Sequence, residues 1–140
     1  MQDAYNDVGK YILNLWQHHY DDASTGTYYR LLEPKISKKI KYSNRHRDKE
    51  VAVTRMRLGK CSLNYYLHKI GCHDSGLCDA CDVPETIEHL LLHCKQYNIG
   101  DAIKLRCKRL NIDATVVNIL KNSKLIDFIY DIVTSHGIRL

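Results

Sequence analysis

The residues best suited to chemistry lie in one short stretch, 78–94, which has the spacing C-x2-C-x7-H-x4-C. A C-x2-C turn supplies two thiolates from one tight knuckle, and a helix after it supplies further ligands about one turn apart. Zinc takes four such ligands in a tetrahedron, commonly three Cys and one His. The loop carries few apolar groups, so a metal would replace the core that it lacks. The pattern predicts a zinc site that includes Cys78, Cys81 and His89.

The fourth ligand is either Cys94 or His93. On an ideal helix His93 lies about 40° from His89, whereas Cys94 lies about 140° away, which favours His93. Cys94 also falls on the apolar face of this helix, where a buried structural thiol is the ordinary interpretation. Against this, zinc-bearing helices often tighten or end at the last ligand, and thiolate is a strong zinc ligand. We favour Cys94 and keep His93 as the alternative.

Four protein ligands close the coordination sphere, so the zinc is predicted to be structural and the chain is predicted not to be an enzyme. A catalytic zinc keeps an open position for water or substrate. The motifs H-E-x-x-H, G-x-x-x-x-G-K-[ST] and G-x-G-x-x-G are all absent. The remaining cysteines lack ligand spacing: Cys107 lies on an apolar stripe typical of a core, and Cys72 is predicted in an exposed loop.

Positive charge is concentrated in residues 35–60, which hold ten basic and two acidic side chains, a balance of +8. Residues 1–34 have a balance of −3, and residues 61–140 a balance of 0. A clustered positive field suits a polyanion, because neutralised phosphates release counterions; a solvated surface is the ordinary alternative. The candidate phosphate contacts are Lys38, Lys39, Lys41, Arg45, Arg47, Arg55, Arg57 and Lys60.

Aromatic side chains near this segment offer stacking surfaces for unpaired bases, although a core or helix-surface position is the alternative. The candidates are Tyr28, Tyr29, Tyr42 and Tyr65.

The elements that must position these residues are predicted to be helices almost throughout. The chain has 140 residues, 44% of them apolar, which is enough for one domain with a core. Apolar periodicity predicts an amphipathic helix over 3–20 and a helix over 46–58 that stops at Gly59. Further helices are predicted over 86–93 and 99–110, and after caps at Ser62, Asp113 and Ser123.

No strand pattern competes, so the predicted fold is all-α. It has about six helices, with a small CCHC-type zinc knuckle before the fourth or fifth helix. A single domain over 1–140 would comprise an N-terminal helix and turn (1–34), a basic segment with helices (35–71), the knuckle (72–97) and C-terminal helices (98–140).

The distribution of apolar and charged residues argues against a membrane-spanning chain and against a secreted one. No apolar run reaches the roughly 18 residues of a membrane span, and the first residues lack the basic and apolar regions of a signal peptide. A chain kept in a reducing compartment uses cysteines for metals or burial, which agrees with the predicted site. We expect a nuclear or cytoplasmic chain that is not secreted and has no membrane partner.

Several linked motifs carry a family resemblance: Arg55–Lys60, Leu63–Gly71, Leu77-Cys78-x2-Cys81 and Pro84–Leu92-x-Cys94. Together they resemble the zinc-binding C-terminal region of non-LTR (LINE-type) retrotransposon reverse transcriptase polyproteins. Upstream, Trp16-Gln17, Gly26 and Tyr28–Pro34 resemble the segment that precedes this region in such elements.

The resemblance implies a CCHC ligand set of Cys78, Cys81, His89 and Cys94. It also implies a role in handling element RNA or target DNA, with other polyprotein domains as further partners. The catalytic carboxylates of the reverse transcriptase and RNase H domains are not among these residues, which agrees with an accessory, non-catalytic role. We therefore expect a non-catalytic nucleic-acid-binding domain, with RNA favoured over DNA. The alternative is a zinc-stabilised protein-interaction or assembly module in a ribonucleoprotein.

Overall fold

The computed structural model describes residues 2–37 and 46–140. Backbone proximity divides the chain into two compact units, Met1–Ser43 and Asn44–Leu140. The prediction that both belong to one domain remains a prediction. Five of the candidate nucleic-acid residues lie outside the described residues: Lys38, Lys39, Lys41, Tyr42 and Arg45.

The first unit contains two helices, α1 (Gln2–Asp22) and α2 (Thr27–Leu32). The turn between them contains Gly26 at φ 70°, a left-handed conformation that glycine adopts without strain. Hydrogen bonds hold one side of α1 against the segment after α2. Gln17 donates to the carbonyl of Pro34 (3.0 Å), and the Tyr20 hydroxyl donates to the carbonyl of Glu33 (2.8 Å).

The amphipathic helix predicted over 3–20 is present as α1, but its apolar side chains are exposed. The exposed fractions lie between 43% and 75% for Tyr5, Val8, Tyr11, Ile12, Leu15 and Trp16. The hydrogen bonds that α1 makes within its own unit come from another side of the helix, which carries Gln17 and Tyr20. Leu32 is the one buried side chain among the described residues of this unit.

The second unit contains five α-helices and one π-helical turn. The helices are α3 (Arg47–Leu58), α4 (Asn64–Lys69), α5 (Gly100–Arg109), α6 (Val116–Lys121) and α7 (Ser123–Ser135). The π-helical turn is His89–His93. The described residues form no strand, apart from one antiparallel bridge between Leu77 and Pro84. The mostly helical prediction is confirmed, with seven α-helices in the described residues where about six were predicted.

The end predicted for α3 is confirmed, whereas the caps predicted at the starts of α4, α6 and α7 are not. Gly59 ends α3 at φ 68°, as predicted. The predicted caps Ser62, Asp113 and Ser123 are wrong, because the structure caps these helices with Leu63, Thr115 and Asn122.

Neighbouring polar side chains explain the differences at α6 and α7. The Thr115 hydroxyl accepts from the N–H of Asn118 (3.3 Å), and the Asn122 side chain accepts from the N–H groups of Lys124 (3.0 Å) and Leu125 (3.2 Å). At α4 the cap residue offers no side-chain acceptor.

The core of the second unit is built around α7, which packs against α3, α5 and α6. Its centre contains Met56, Ile103, Ile119 and Ile129, all fully buried. Burial of aliphatic side chains of this size stabilises a fold by roughly 1.5–3 kcal/mol each. The π-helical turn packs on α5, so this core also positions the turn.

Gly100, the first residue of α5, allows the close approach between α5 and the π-helical turn. A Cβ atom at this position would lie 2.7 Å from the carbonyl oxygen of Leu92. Only glycine fits at that distance, so the helix and the turn approach through their backbones.

Candidate metal centre

The first two candidate ligands lie in a tight backbone turn after α4. The carbonyl of Cys78 accepts from the N–H groups of Cys81 (3.2 Å) and Asp82 (2.9 Å). Asp82 adopts φ 53°, in the left-handed region that Asp tolerates better than most residues. The N–H of Cys78 donates to the carbonyl of Val83 (2.8 Å), which closes the knuckle.

The other two candidate ligands are related by the π-helical turn. The N–H of Cys94 donates to the carbonyl of His89 at 2.7 Å, an i→i+5 bond in place of the usual i→i+4 bond. This turn is wider than an α-helical turn, so it brings Cys94 closer to the face of His89 than an α-helix would. After it the backbone turns extended at Cys94 (φ −67°, ψ 122°) and leaves the helix.

The structure brings four ligand atoms together: the thiols of Cys78, Cys81 and Cys94 and one imidazole nitrogen of His89. These atoms all lie within 4.8 Å of one another, and the group could hold a metal ion. No other group of three or more such ligands occurs in the part of the chain that the structure describes. His93 is exposed and is not part of the group.

The cluster combines buried ligands with one that reaches solvent. Cys78, His89 and Cys94 are buried, whereas Cys81 is partly exposed. The sulfur atoms of Cys78 and Cys94 lie 3.8 Å apart. Three thiols and an imidazole are the donor set that zinc commonly takes in structural sites.

The electrostatic surroundings of His89 suit a metal ligand. Burial lowers the pKa of the His89 imidazole, with the Glu85 carboxylate opposing this and His93 adding to it. The imidazole is therefore neutral at pH 7, the form that binds metal. Its Nε2 atom is buried and has no hydrogen-bond partner among the described residues. A buried nitrogen without a partner is uncommon, and a bound metal would satisfy it.

The thiols near the knuckle differ in their surroundings. The backbone N–H of Lys95 donates to the sulfur of Cys81 (3.4 Å), and this bond is the main reason that the Cys81 pKa is lowered. Burial raises the pKa of Cys78. A bound cation would oppose that burial effect, because metal coordination favours the thiolate.

Glu85 connects the knuckle to α4, a role that the sequence analysis missed. Its carboxylate is buried and accepts from the N–H of Asn64, the first residue of α4, at 2.7 Å. The Asn64 side chain donates to the carbonyl of Leu77 (2.8 Å), one residue before Cys78. Free N–H groups at a helix start need a partner, but the sequence offered Ser62 as that acceptor, so no short-range signal pointed to Glu85.

The remaining cysteines lie apart from the cluster. Cys61 and Cys107 are buried, and burial raises the pKa of Cys61 to about 12 and also raises that of Cys107. Such thiols are unreactive core residues, as predicted for Cys107. Cys72 is exposed, also as predicted.

The described candidate phosphate contacts lie on or just after α3. Arg47, Arg55 and Lys60 are exposed, and Arg57 is partly buried. Arg55 also donates to the terminal backbone oxygen of Leu140 (2.8 Å). Their binding of nucleic acid remains a prediction.

Lys49 contributes to the sequence charge of this segment, but its ammonium is engaged within the second unit. It lies 3.4 Å from a carboxylate oxygen of Asp127 and 3.3 Å from one of Asp131, both on α7. It also lies 5.1 Å from the centre of the Tyr130 ring. Its charge is therefore largely compensated by α7.

The tyrosines proposed for base stacking have different exposures. Tyr65 on α4 is 41% exposed, with the ammonium of Lys69 5.3 Å from its ring centre. Tyr28 and Tyr29 are partly buried in the first unit. Among the described tyrosines that are candidates for base stacking, Tyr65 is therefore the most exposed.

None of the helices in residues 2–37 and 46–140 combines the length and apolar character needed to cross a membrane. No protein-family model, curated protein or solved structure matches this chain.

Proposed function

We propose that this chain is a non-catalytic nucleic-acid-binding domain, with RNA favoured over DNA, stabilised by one structural zinc ion. We further propose that it derives from, or forms part of, a retrotransposon reverse transcriptase polyprotein in the nucleus or cytoplasm. The convergence of Cys78, Cys81, His89 and Cys94 carries the metal part of this proposal. The +8 balance of residues 35–60 carries the nucleic-acid part.

Zinc is the metal that best fits the four ligands. Thiolate and imidazole donors select zinc over magnesium or calcium, which take oxygen ligands. Four protein ligands leave no position for water or substrate, so the ion would be structural. Cys78 and Cys81 would supply the knuckle sulfurs, while His89 and Cys94 would join the knuckle to the π-helical turn.

The metal content of the purified chain tests the zinc proposal. We expect about one zinc per chain, measured by mass spectrometry of the metal. Cys94→Ser should lose most of this zinc, whereas the matched variant His93→Ala should keep it. Cobalt substitution adds a spectroscopic test, since a tetrahedral thiolate site gives intense visible absorption. Full zinc retention in Cys94→Ser, or loss only in His93→Ala, would contradict the proposed ligand set.

The nucleic-acid proposal rests on charge that faces solvent. Arg47 lies in the first turn of α3 and Lys60 follows its end, and both side chains are exposed. Arg55 is exposed on the same helix. Such side chains bind phosphates without reading sequence, so we propose no sequence preference.

Salt-dependent RNA binding tests this part. If several phosphates are engaged, the logarithm of the affinity for a single-stranded RNA should fall with the logarithm of salt concentration, by about 0.7 per contact. The double variant Arg47→Ala, Lys60→Ala should weaken binding and reduce this slope. Its control is Lys104→Ala, Lys108→Ala, which removes the same charge from exposed positions of α5. Absence of RNA and DNA binding at low salt would defeat the proposal.

Tyr65 distinguishes unpaired from paired RNA. Stacking of a base on an aromatic ring contributes roughly 1–3 kcal/mol, which is about 5- to 150-fold in affinity. Tyr65→Ala should therefore weaken binding of single-stranded RNA and leave binding of a duplex of equal length almost unchanged. An equal effect on both would argue against stacking.

The alternative function is a protein-interaction or assembly module in a ribonucleoprotein. The exposed apolar side chains of α1 favour it, since contiguous apolar surface marks interaction sites. Protein association without any nucleic-acid binding would favour this alternative.

A further inference from the structure

We propose that α1 pairs in antiparallel orientation with α1 of a second copy of this chain. The apolar side chains of Tyr5, Val8, Ile12 and Leu15 follow alternating spacings of three and four residues. This is the spacing of a seam between two helices that wrap around each other. Tyr11 and Trp16 extend the seam on its two sides, and all six side chains are exposed.

Charge excludes two other kinds of partner for this surface. The α1 sequence contains four Asp and one Lys, so it repels nucleic acid and gains nothing from an anionic lipid surface. The lysine, Lys10, lies 3.7 Å from Asp7, and His18 lies 3.1 Å from Asp22. These charged pairs lie to one side of the apolar seam, which fits another helix with a similar seam.

In an antiparallel pair of identical α1 helices, each apolar side chain of the seam faces an apolar side chain of the second copy. With the two-fold axis near Lys10, Tyr5 faces Leu15 of the second copy and Val8 faces its Ile12. Asp21 and Asp22 then lie near the N-terminal end of the second copy's helix, where the helix dipole favours negative charge. A parallel pair would instead bring Asp21 and Asp22 of both copies together at the C-terminal ends, where both helix dipoles are also negative, and this costs free energy.

The available area is sufficient for a weak dimer. Aromatic side chains bury roughly 150–250 Å² each, so the exposed parts of these three aromatic and three aliphatic side chains offer about 600 Å² per copy. Two copies approach the roughly 1,200 Å² at which specific interfaces begin. An interface of this size dissociates readily, so we expect a concentration-dependent equilibrium between monomer and dimer.

Sedimentation velocity of the full zinc-loaded chain tests the pairing. From about 5 to 500 μM the average mass should rise from monomer towards dimer. Ile12→Glu should weaken association at least tenfold, because it places two charges in the seam. Asn6→Glu adds the same charge at an exposed position off the seam and should associate like the wild type. A wild type that stays monomeric, or an Ile12→Glu chain that associates normally, would overturn the proposal.

Site-directed crosslinking tests the orientation. In the antiparallel pair Tyr11 lies close to the two-fold axis, whereas the two copies of Tyr5 lie at opposite ends. In a background with the exposed Cys72 changed to Ser, Tyr11→Cys should give an 11–11 intermolecular disulfide under mild oxidation, identified by peptide mass spectrometry. Crosslinking through Tyr5→Cys instead would overturn the antiparallel arrangement. These results are independent of zinc content and RNA binding, so the proposed function stands or fails separately.

Discussion

The helices α1 and α7 are both amphipathic, yet they use their apolar faces in opposite ways. In α7 the side chains of Leu125, Ile126, Ile129 and Val133 are at most 4% exposed, because α3, α5 and α6 surround them. The apolar side chains of α1 are 43–75% exposed. Periodicity therefore identifies which residues share a face, whereas the neighbouring elements decide whether that face enters a core.

The same difference extends to the two units. Asn44–Leu140 contains the buried aliphatic core and the Cys/His cluster, whereas the described part of Met1–Ser43 buries only Leu32. We expect the second unit to account for most of the measured stability.

Loss of the metal should have the largest effect and should be confined to the second unit. In Cys94→Ser, or after chelation, we expect the free energy of unfolding to fall by about 4–5 kcal/mol or more, because a structural metal contributes directly to folding. Denaturant titration measures the loss, and amide hydrogen exchange locates it in residues 46–140. Cys72→Ser, at an exposed thiol, should change neither measurement. Unchanged stability after metal removal would contradict the proposed structural role.

Truncation of an isoleucine side chain should cost several times more in α7, where it is buried, than in α1, where it is exposed. Ile129→Ala removes a fully buried side chain and should cost about 2–5 kcal/mol, through lost burial and a cavity. Ile12→Ala, at a residue 43% exposed, should change stability by no more than about 0.5 kcal/mol in dilute solution. Both values come from chemical denaturation at low protein concentration. Equal costs would show that the Ile12 side chain is buried in solution.

Removal of the Glu85 carboxylate should weaken the connection between the knuckle and α4. Glu85→Ala leaves the N–H of Asn64 without its acceptor, which costs roughly 1–3 kcal/mol when the group is buried. Glu88→Ala, three residues later and exposed, is the matched control and should have little effect. Thermal unfolding of both variants measures the difference. A similar melting temperature for Glu85→Ala and Glu88→Ala would contradict the proposed role of Glu85.

Replacement of Gly100 should have an effect of similar size, with the sign opposite to that of a usual helical glycine. Gly→Ala inside a helix normally stabilises by about 0.5–1 kcal/mol. At Gly100 the added methyl would meet the Leu92 carbonyl, so Gly100→Ala should instead destabilise by about 1–3 kcal/mol. Gly9→Ala in α1 should show the usual stabilising sign. Chemical denaturation compares the two, and a stabilised Gly100→Ala would contradict the close approach.

Much of the local structure could be predicted from the sequence. The helix over 3–20, the end of α3 at Gly59 and the buried Cys107 all follow from short-range periodicity and from glycine at a helix end. The caps at Asp113 and Ser123 are wrong because Thr115 and Asn122 are nearby competitors that a short sequence pattern ranks equally. The cap at Ser62 is wrong because the distant Glu85 serves the start of α4.

The cluster illustrates the same limit at the candidate site. Spacing identified the Cys and His residues, but ideal helical geometry favoured His93 over Cys94. The i→i+5 bond between Cys94 and His89 changes that geometry, and π-helical turns have no simple sequence signal. The role of Glu85 has no short-range signal either, because its contact with Asn64 joins residues 21 positions apart.

The sequence by itself determined the helical character of this chain, the residue types of the cluster and the concentration of charge in residues 35–60. These properties depend on side-chain chemistry and on neighbours within a few positions. The tertiary structure decided that Cys94 and not His93 joins the cluster, that Gly100 must lack a side chain, and that α1 exposes its apolar face. Each of these depends on backbone geometry or on contacts between distant segments, and such contacts exist only after the chain has folded.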